Sequence, residues 1–250
     1  MNDLFVGAGT LINVSTIVFG ATLGGLFGSR FKVRMRNLVT DALGLITLLV
    51  GLMSAWVVTS ESFADEVGDG FPLLVVLGAL LLGGILGTVL KLTEKFDAAG
   101  NYLNRRFNSG GESSKFIEGF VSASLLFVVG PLAIMGSISD GIGSGIDQLL
   151  LKSTLDFFAA MAFAASFGAF GVACSALSVG AYQGVFTALG FAVGNLLSAA
   201  QVDALTATGG LLLVGVGLRL LNIKQVAVAD LLPALIFAPL LVALIGPLAG

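Results

Sequence analysis

The stretch that decides the fold runs from Val121 to Phe157 and reads V-S-A-S-L-L-F-V-V-G-P-L-A-I-M-G-S-I-S-D-G-I-G-S-G-I-D-Q-L-L-L-K-S-T-L-D-F. Its apolar run is interrupted at Gly130-Pro131, dissolves into Ser, Asp and Gly, and becomes apolar again from Leu149. Proline removes a backbone donor and clashes with the preceding turn, so a helix here has to kink or stop. In lipid, freed backbone groups are tolerated only where protein or water satisfies them. The stretch therefore predicts a broken span with a functional site beside it.

The composition of the whole chain is that of a membrane protein. Of its 250 residues, 56% are hydrophobic and only 11% are charged, whereas soluble domains average about 25% charged residues. The chain has no His and one Cys, which excludes His general bases, His or Cys zinc sites and an intramolecular disulfide. It contains no G-x-x-x-x-G-K-[ST] loop, which argues against a phosphate-cradling ATPase. We expect no metal, no cofactor and no nucleic-acid partner.

Eight segments are long and apolar enough to span a bilayer, for which about 20 residues are needed. The sequence therefore predicts an all-α fold, a polytopic membrane helix bundle of about eight transmembrane helices. Short loops between the last four spans leave counts of seven and nine open. The predicted spans are 5–29, 38–58, 71–90, 117–138, 153–177, 182–200, 205–221 and 230–248.

The distribution of basic residues predicts the orientation. With eight spans, eleven of the 12 Lys and Arg residues fall in loops on one side, and only Lys152 falls on the other. Because cytoplasmic loops carry the excess of Lys and Arg, we expect the basic loops in the cytoplasm and both termini outside. The eleven residues are Arg30, Lys32, Arg34, Arg36, Lys91, Lys95, Arg105, Arg106, Lys115, Arg219 and Lys224.

Residues 1–250 are interpreted as a single integral membrane domain. The first three spans occupy 1–90, a polar cytoplasmic linker occupies 91–116, and the last five spans occupy 117–250. Three segments of the first part resemble three of the last part, which suggests a repeat of three helices. Since an odd number of spans separates the copies, such a repeat would be inverted in the membrane; chance similarity between Leu- and Gly-rich segments is the alternative.

The matching segments are short and contain glycine. Gly44–Leu52 resembles Gly210–Leu218, and 78–82 loosely matches 233–237. Asn13 followed by G-x-x-x-G at 20–24 resembles Gln183 followed by G-x-x-x-G at 190–194.

Lys152 and Asp156 form the sharpest candidate pair. They are four residues apart, so they share a face of any helix that includes both, and ionisable groups inside a membrane are functional candidates by default. The structural alternative is that Ser153 to Asp156 is an S-x-x-D pattern close to a capping box. Ser153 would then cap the span, with Asp156 in the first turn at the positive helix end. The two interpretations are compatible.

Other candidates surround the break and the first span. A helix broken at Gly130 and Pro131 exposes backbone groups that can bind an ion or polar solute, although a plain proline kink is the alternative. Asn13 either lines a path or hydrogen-bonds a neighbouring helix. The predicted substrate- or ion-binding residues are Asn13, Ser137, Ser139, Asp140, Lys152, Ser153 and Asp156.

Glycines at four-residue spacing mark helix faces that allow close backbone approach. Packing within the chain is one use of such a face, and a homo-oligomer seam is the other. The glycines are Gly20, Gly24, Gly28, Gly83, Gly87, Gly190 and Gly194.

Several segments carry a family resemblance. F-V-V-G-P-L-A-I-M-G-S-I-S-D-G and D-Q-L-L-L-K-S-T-L-D, together with G-A-G-T-L-I-N-V-S-T-I-V-F-G-A-T-L-G and G-G-L-L-L-V-G-V-G-L-R-L-L-N-I-K-Q-V-A-V-A-D-L-L-P-A-L, resemble domain of unknown function 554, the YqgA-like bacterial membrane family. Phe157 and Asp230 depart from its pattern, standing where Gly and Asn are expected. The resemblance implies a multi-pass protein of the bacterial plasma (inner) membrane. It brings no established activity and no catalytic residues.

Three functions are compatible with these observations. The favoured one is a secondary transporter or channel-like permease for a small solute or ion, with Asp156 binding a cation or proton or neutralising Lys152. The second is a non-transporting scaffold or partner subunit. The third, an intramembrane aspartyl enzyme, needs two facing carboxylates, and the segment before Asp147 lacks the usual G-x-G-D form. We expect that the protein is not an enzyme.

Overall fold

The computed structural model describes residues 5–28, 32–95, 98, 113–128, 131–193 and 197–249, and within these ranges the regular structure is helical. A 3₁₀ helix, Trp56–Thr59, follows the second α-helix. The α-helices are α1 (Ala8–Gly28), α2 (Val33–Ala55), α3 (Glu61–Val67), α4 (Phe71–Val89), α5 (Ser113–Val128), α6 (Pro131–Gly141), α7 (Asp147–Phe167), α8 (Ala169–Val193), α9 (Ala199–Leu220), α10 (Val228–Leu231) and α11 (Ala234–Ala249).

Seven stretches of the described chain are long and apolar enough to cross a membrane. The helices α5 and α6 meet at an angle of 63° and add an eighth if they form one bent span. Large apolar side chains lie on the outside of these helices, among them Ile85 (64% exposed), Leu177 (71%) and Phe191 (72%). Such extensive apolar exposure indicates a lipid-facing surface. The prediction of an all-α, polytopic helix bundle is confirmed.

The predicted boundary between the fifth and sixth spans is wrong. The sequence placed these spans at 153–177 and 182–200, but α7 ends at Phe167 and α8 begins at Ala169. Only Gly168 separates the two helices, and its φ of +96° is a backbone conformation that favours glycine. Because one glycine makes this junction, no polar loop marks it in the sequence.

The chain divides into two compact units. The first combines Met1–Leu43 with Asp97–Leu196, and the second combines Gly44–Phe96 with Leu197–Gly250. Each unit therefore draws on both the first three spans and the last five.

In the first unit, α1 runs parallel to α7 and touches it through glycines. A Cβ atom added to any of three α1 glycines would collide with the α7 backbone, so only glycine permits this approach. The pairs in order are Gly20 with Phe157, Gly24 with Met161 and Gly28 with Ala165. This face of α1 is therefore packed against a helix of the same chain.

The same helix crosses α8 in the opposite direction. The side-chain oxygens of Thr10 and Thr187 are 3.3 Å apart, and further along α1 Val14 faces Gly180. Residue numbers therefore increase along α1 in the direction in which they decrease along α8. The two helices that carry Asn13 and Gln183 are thus antiparallel neighbours.

The second unit has two antiparallel crossings of the same kind. The second half of α2 packs against α9 through Leu48 and Gly217, and Gly51 lies against the backbone of Gly210. Helix α4 packs against α11, with Gly83 on Ala234 and Gly78 near Leu241. A core cluster that includes Phe63, Val75, Ala204 and Ala238 fills the unit's interior.

These crossings pair the segments that the sequence matched as repeats. Helix α1 pairs with α8, α2 with α9, and α4 with α11, each time antiparallel and each time inside one unit. Two copies related by an axis in the membrane plane run in opposite directions. The contacts therefore have the directions that an inverted repeat of three helices produces.

Candidate functional site

Lys152 and Asp156 form a buried ion pair on α7. Lys152 Nζ lies 2.6 Å from Asp156 Oδ2, and the residues are 5% and 6% exposed. The prediction that the two side chains share a helix face is confirmed. The helix begins at Asp147, so Lys152 lies in its second turn and Asp156 in its third.

The capping interpretation of Ser153 and Asp156 is wrong. Because α7 starts six residues before Ser153, that serine lies inside the helix, and its hydroxyl donates to the carbonyl of Leu149 at 2.6 Å. Asp156 is nine residues beyond the first helical residue, a rise of about 13 Å. The positive helix end therefore does not account for its carboxylate.

Asn13 of α1 completes this cluster. Its amide Nδ2 donates to Asp156 Oδ2 at 3.0 Å, and the residue is fully buried. The ring of Phe127, near the end of α5, lies 6.0 Å from Lys152 Nζ, at the limit of a cation–π contact. The ion pair is thus enclosed by α1, α5 and its own helix α7, where the low dielectric strengthens the attraction within the pair.

Asp140 binds backbone rather than side chains. Its two carboxylate oxygens accept hydrogen bonds from the amides of Gly7 and Gly9, each at 3.1 Å. A carboxylate here stabilises the positive N-terminal end of α1. Gly9 precedes Asn13 by four residues, or about 6 Å along the helix, so Asp140 lies near the ion pair but with both oxygens engaged.

The remaining predicted residues lie on or near α6. Helix α6 begins at Pro131, and Gly130 lies outside the described residues. The hydroxyl of Ser137 donates to the carbonyl of Ala133 at 2.6 Å, within its own helix. Ser139 is half-buried. The structure therefore brings Asn13, Lys152 and Asp156 together and leaves the two α6 serines outside their hydrogen-bonded cluster.

Gln183 on α8 was not predicted as a site residue. It is fully buried, and neither Oε1 nor Nε2 has a hydrogen-bond partner in the part of the chain that the structure describes. Helical spacing puts it on the face that carries Gly180 and Thr187, which is the face toward α1. Asn13 Oδ1 is likewise buried, and no described residue hydrogen-bonds it. The repeat match between Asn13 and Gln183 was the sequence signal for this residue.

Together with Gln183 on the neighbouring helix α8, the cluster supplies one cation, one anion and two carboxamides. These groups can hydrogen-bond and neutralise a small polar solute or ion. Within the described ranges, no group of three or more Asp, Glu or Cys side chains is placed to hold a metal ion.

A cavity of about 440 Å³ lies at the opposite ends of α1 and α7 from this cluster. The last turns of both helices line it, together with Gly168 and Lys115. Its wall is mostly apolar, although Ser166 also lines it and has a buried hydroxyl with no hydrogen-bond partner among the residues described. None of the predicted site residues lines this cavity.

Comparison with known proteins gives a family without an activity. The sequence profile of a family described as "Protein of unknown function (DUF554)" matches residues 8–243. The chain is 32% identical to the uncharacterized protein YqgA of Escherichia coli (strain K12) over 236 residues, which cover 92% of this chain and 94% of YqgA. It is 27% identical to the uncharacterized membrane protein YdfK of Bacillus subtilis (strain 168) over 235 residues, covering 94% and 95%. No solved structure matches.

Proposed function

The chain belongs to the DUF554 family of proteins of unknown function, and from this premise we propose that it is a permease that moves a small polar solute or ion across the bacterial plasma membrane. The observation that carries the proposal is the buried Lys152–Asp156 pair, held by Asn13 inside membrane-spanning helices.

The energetic argument starts from the cost of buried charge. A charged side chain at the centre of a spanning helix costs about 2.5–3.5 kcal/mol on insertion scales. A buried ion pair often stabilises a protein no more than apolar residues of similar volume do. Packing alone therefore gives little reason for Lys152 and Asp156, whereas a charged solute-binding site requires groups of this kind.

Polar groups also continue along α1 from its N-terminal end. Asp140 binds the amide of Gly9, Thr10 faces Thr187 one residue later, and Asn13 reaches Asp156 less than one turn further on. With the predicted orientation, this end of α1 faces the outside. The series would then form an external path to the ion pair.

The bent helix pair α5–α6 would supply the moving element of this mechanism. Phe127 lies next to the last residue of α5 before the 63° bend, and its ring faces Lys152. A change in the bend would shift this ring relative to the ion pair. Such a shift would open or close access to the ion pair. Discontinuous helices form the binding sites of many transporters.

The proposal is tested by reconstitution. Proteoliposomes containing the full chain are incubated with a mixture of ions and small metabolites, and the contents are identified by mass spectrometry. We expect at least one solute to enter faster than in protein-free liposomes. The double variant Lys152→Met/Asp156→Leu, which removes both charges together, is expected to abolish this uptake.

The matched control is the exposed pair Lys91 and Glu94, whose charged atoms are 3.7 Å apart. The variant Lys91→Met/Glu94→Leu makes the same chemical change outside the cluster and should retain uptake. If no solute enters faster than in protein-free liposomes, the permease is rejected in favour of the scaffold. Equal uptake by the Lys152→Met/Asp156→Leu variant would exclude the buried pair from the mechanism.

A further inference from the structure

Three buried polar atoms at the α1–α8 crossing have no hydrogen-bond partner among the described residues. They are Asn13 Oδ1, Gln183 Oε1 and Gln183 Nε2. A buried polar group left unsatisfied costs about 1–3 kcal/mol, so native proteins contain few of them. The three atoms belong to two side chains on facing helices, and the amide of Asn13 hydrogen-bonds Asp156 of the buried ion pair. Their position indicates that the carboxamides of Asn13 and Gln183 can hydrogen-bond a ligand.

The cluster offers both donors and acceptors. An ammonium has three donors, and among the described residues Lys152 Nζ donates a hydrogen bond only to Asp156. Both hydrogen bonds to Asp156 end on Oδ2, which leaves Oδ1 with none from the described residues. The open donors are thus on Lys152 and Gln183, and the open acceptors are on Asp156, Asn13 and Gln183.

The charge of the cluster limits what it can hold. Lys152 and Asp156 together are neutral, so a ligand with net charge would leave that charge uncompensated in a low-dielectric interior. We propose, building on the permease function above, that the ligand is a small zwitterion of the amino-acid type. Its anionic group meets Lys152 and the amide of Gln183, while its ammonium meets Asp156 and the carbonyl oxygen of Asn13.

The test compares three probes with one carbon skeleton: alanine with no net charge, lactate with a negative charge, and alaninamide, which is positive below the pKa of its amino group. The melting temperature of the detergent-solubilised full chain is measured against the concentration of each. We expect a saturable increase with alanine and none with lactate or alaninamide.

Variants at Gln183 connect this selectivity to the structure. Gln183→Leu is expected to weaken alanine binding about tenfold, the effect of one lost hydrogen bond. Gln183→Glu adds a negative charge and should shift the preference from alanine to alaninamide. The control is Gly184→Ala on the next residue, because a methyl group there meets nothing within 4 Å; it should bind alanine like the wild type.

The outcomes separate this inference from the permease itself. Binding of lactate or alaninamide in place of alanine, or of none of the three, overturns the zwitterion and leaves the uptake experiment to decide on transport. Unchanged selectivity in Gln183→Glu, with alanine still bound, removes Gln183 from the site. Absence of any solute uptake in proteoliposomes rejects the permease independently of these measurements.

Discussion

Asn13 and Asp156 are separated by 143 residues in the sequence and share a hydrogen bond of 3.0 Å. The bond links α1 to α7 just before the glycine contacts that hold the same two helices together. Lys152 reaches the same carboxylate oxygen at 2.6 Å. Asp156 Oδ2 therefore accepts hydrogen bonds from two side chains. Helical spacing on α7 brings Lys152 to it, and packing of α1 against α7 brings Asn13.

Removing one member of the ion pair should be worse than removing both. Asp156→Leu alone leaves the Lys152 ammonium buried without its partner, which costs about 3–5 kcal/mol. Lys152→Met/Asp156→Leu removes both charges and should be near neutral or slightly stabilising. Thermal unfolding of the purified variants in detergent measures the difference.

The same cycle on Lys91 and Glu94 provides the reference. Their side chains are 68% and 71% exposed, and exposed pairs contribute about 0–1 kcal/mol. An equal loss of stability in the single and double variants of Lys152 and Asp156 would contradict the buried pairing.

Asp140→Ala should loosen the start of α1. The substitution removes the acceptor for the amides of Gly7 and Gly9, and loss of a helix cap costs about 0.5–2 kcal/mol. We expect faster hydrogen exchange in the first turn of α1, measured by mass spectrometry. Ser139→Ala, one residue earlier, is the control and should leave exchange in α1 unchanged; equal exchange in both variants would argue against the capping contact.

Gly24→Ala should destabilise the first unit. The added methyl group would collide with the carbonyl of Met161 on α7, and overpacking of this kind costs about 1–3 kcal/mol. Gly184→Ala makes the same change inside a helix where the methyl group has space. Melting temperatures in detergent should fall for the first variant and stay level or rise for the second.

Cysteine cross-linking should report the antiparallel register of α2 and α9. In a Cys174→Ser background, Leu48→Cys and Gly217→Cys should form a disulfide on mild oxidation, because a Cβ at Gly217 would lie 2.6 Å from Leu48 Cγ. Leu48→Cys paired with Leu211→Cys, more than one turn away on α9, should not. Cross-linking of the second pair alone would refute the register. Because the disulfide lies within one chain, it is detected as a change in electrophoretic mobility between non-reducing and reducing gels.

Most of the fold can be predicted from the length of the hydrophobic segments and from the spacing of residues along each helix. Apolar segments of bilayer length gave the helix bundle, and four-residue spacing gave the Lys152–Asp156 contact. The matched repeat segments pair antiparallel as helices, although their similarity in sequence is short. These features depend on neighbours in the chain, which a single sequence records.

The features that were not predicted depend on tertiary structure or on single residues. A positive φ at Gly168 ends α7 without any polar loop, and the early start of α7 at Asp147 turned the expected cap at Ser153 into an internal hydroxyl. The sequence marks Gln183 only as a repeat match, because its burial and its lack of partners among the described residues arise only where α1 and α8 cross. The two interleaved units likewise arise from long-range packing.

The contact between Asp140 and Gly9 has a consequence for synthesis on the ribosome. The two residues are 131 positions apart, so at about 5–20 residues per second the nascent chain needs roughly 7–26 s to reach the aspartate after the glycine. During that interval the amides of Gly7 and Gly9, at the start of α1, have to hydrogen-bond water or lipid headgroups instead of Asp140. The hydrogen bonds that cap the start of α1 can thus form only after more than half of the polypeptide has been translated.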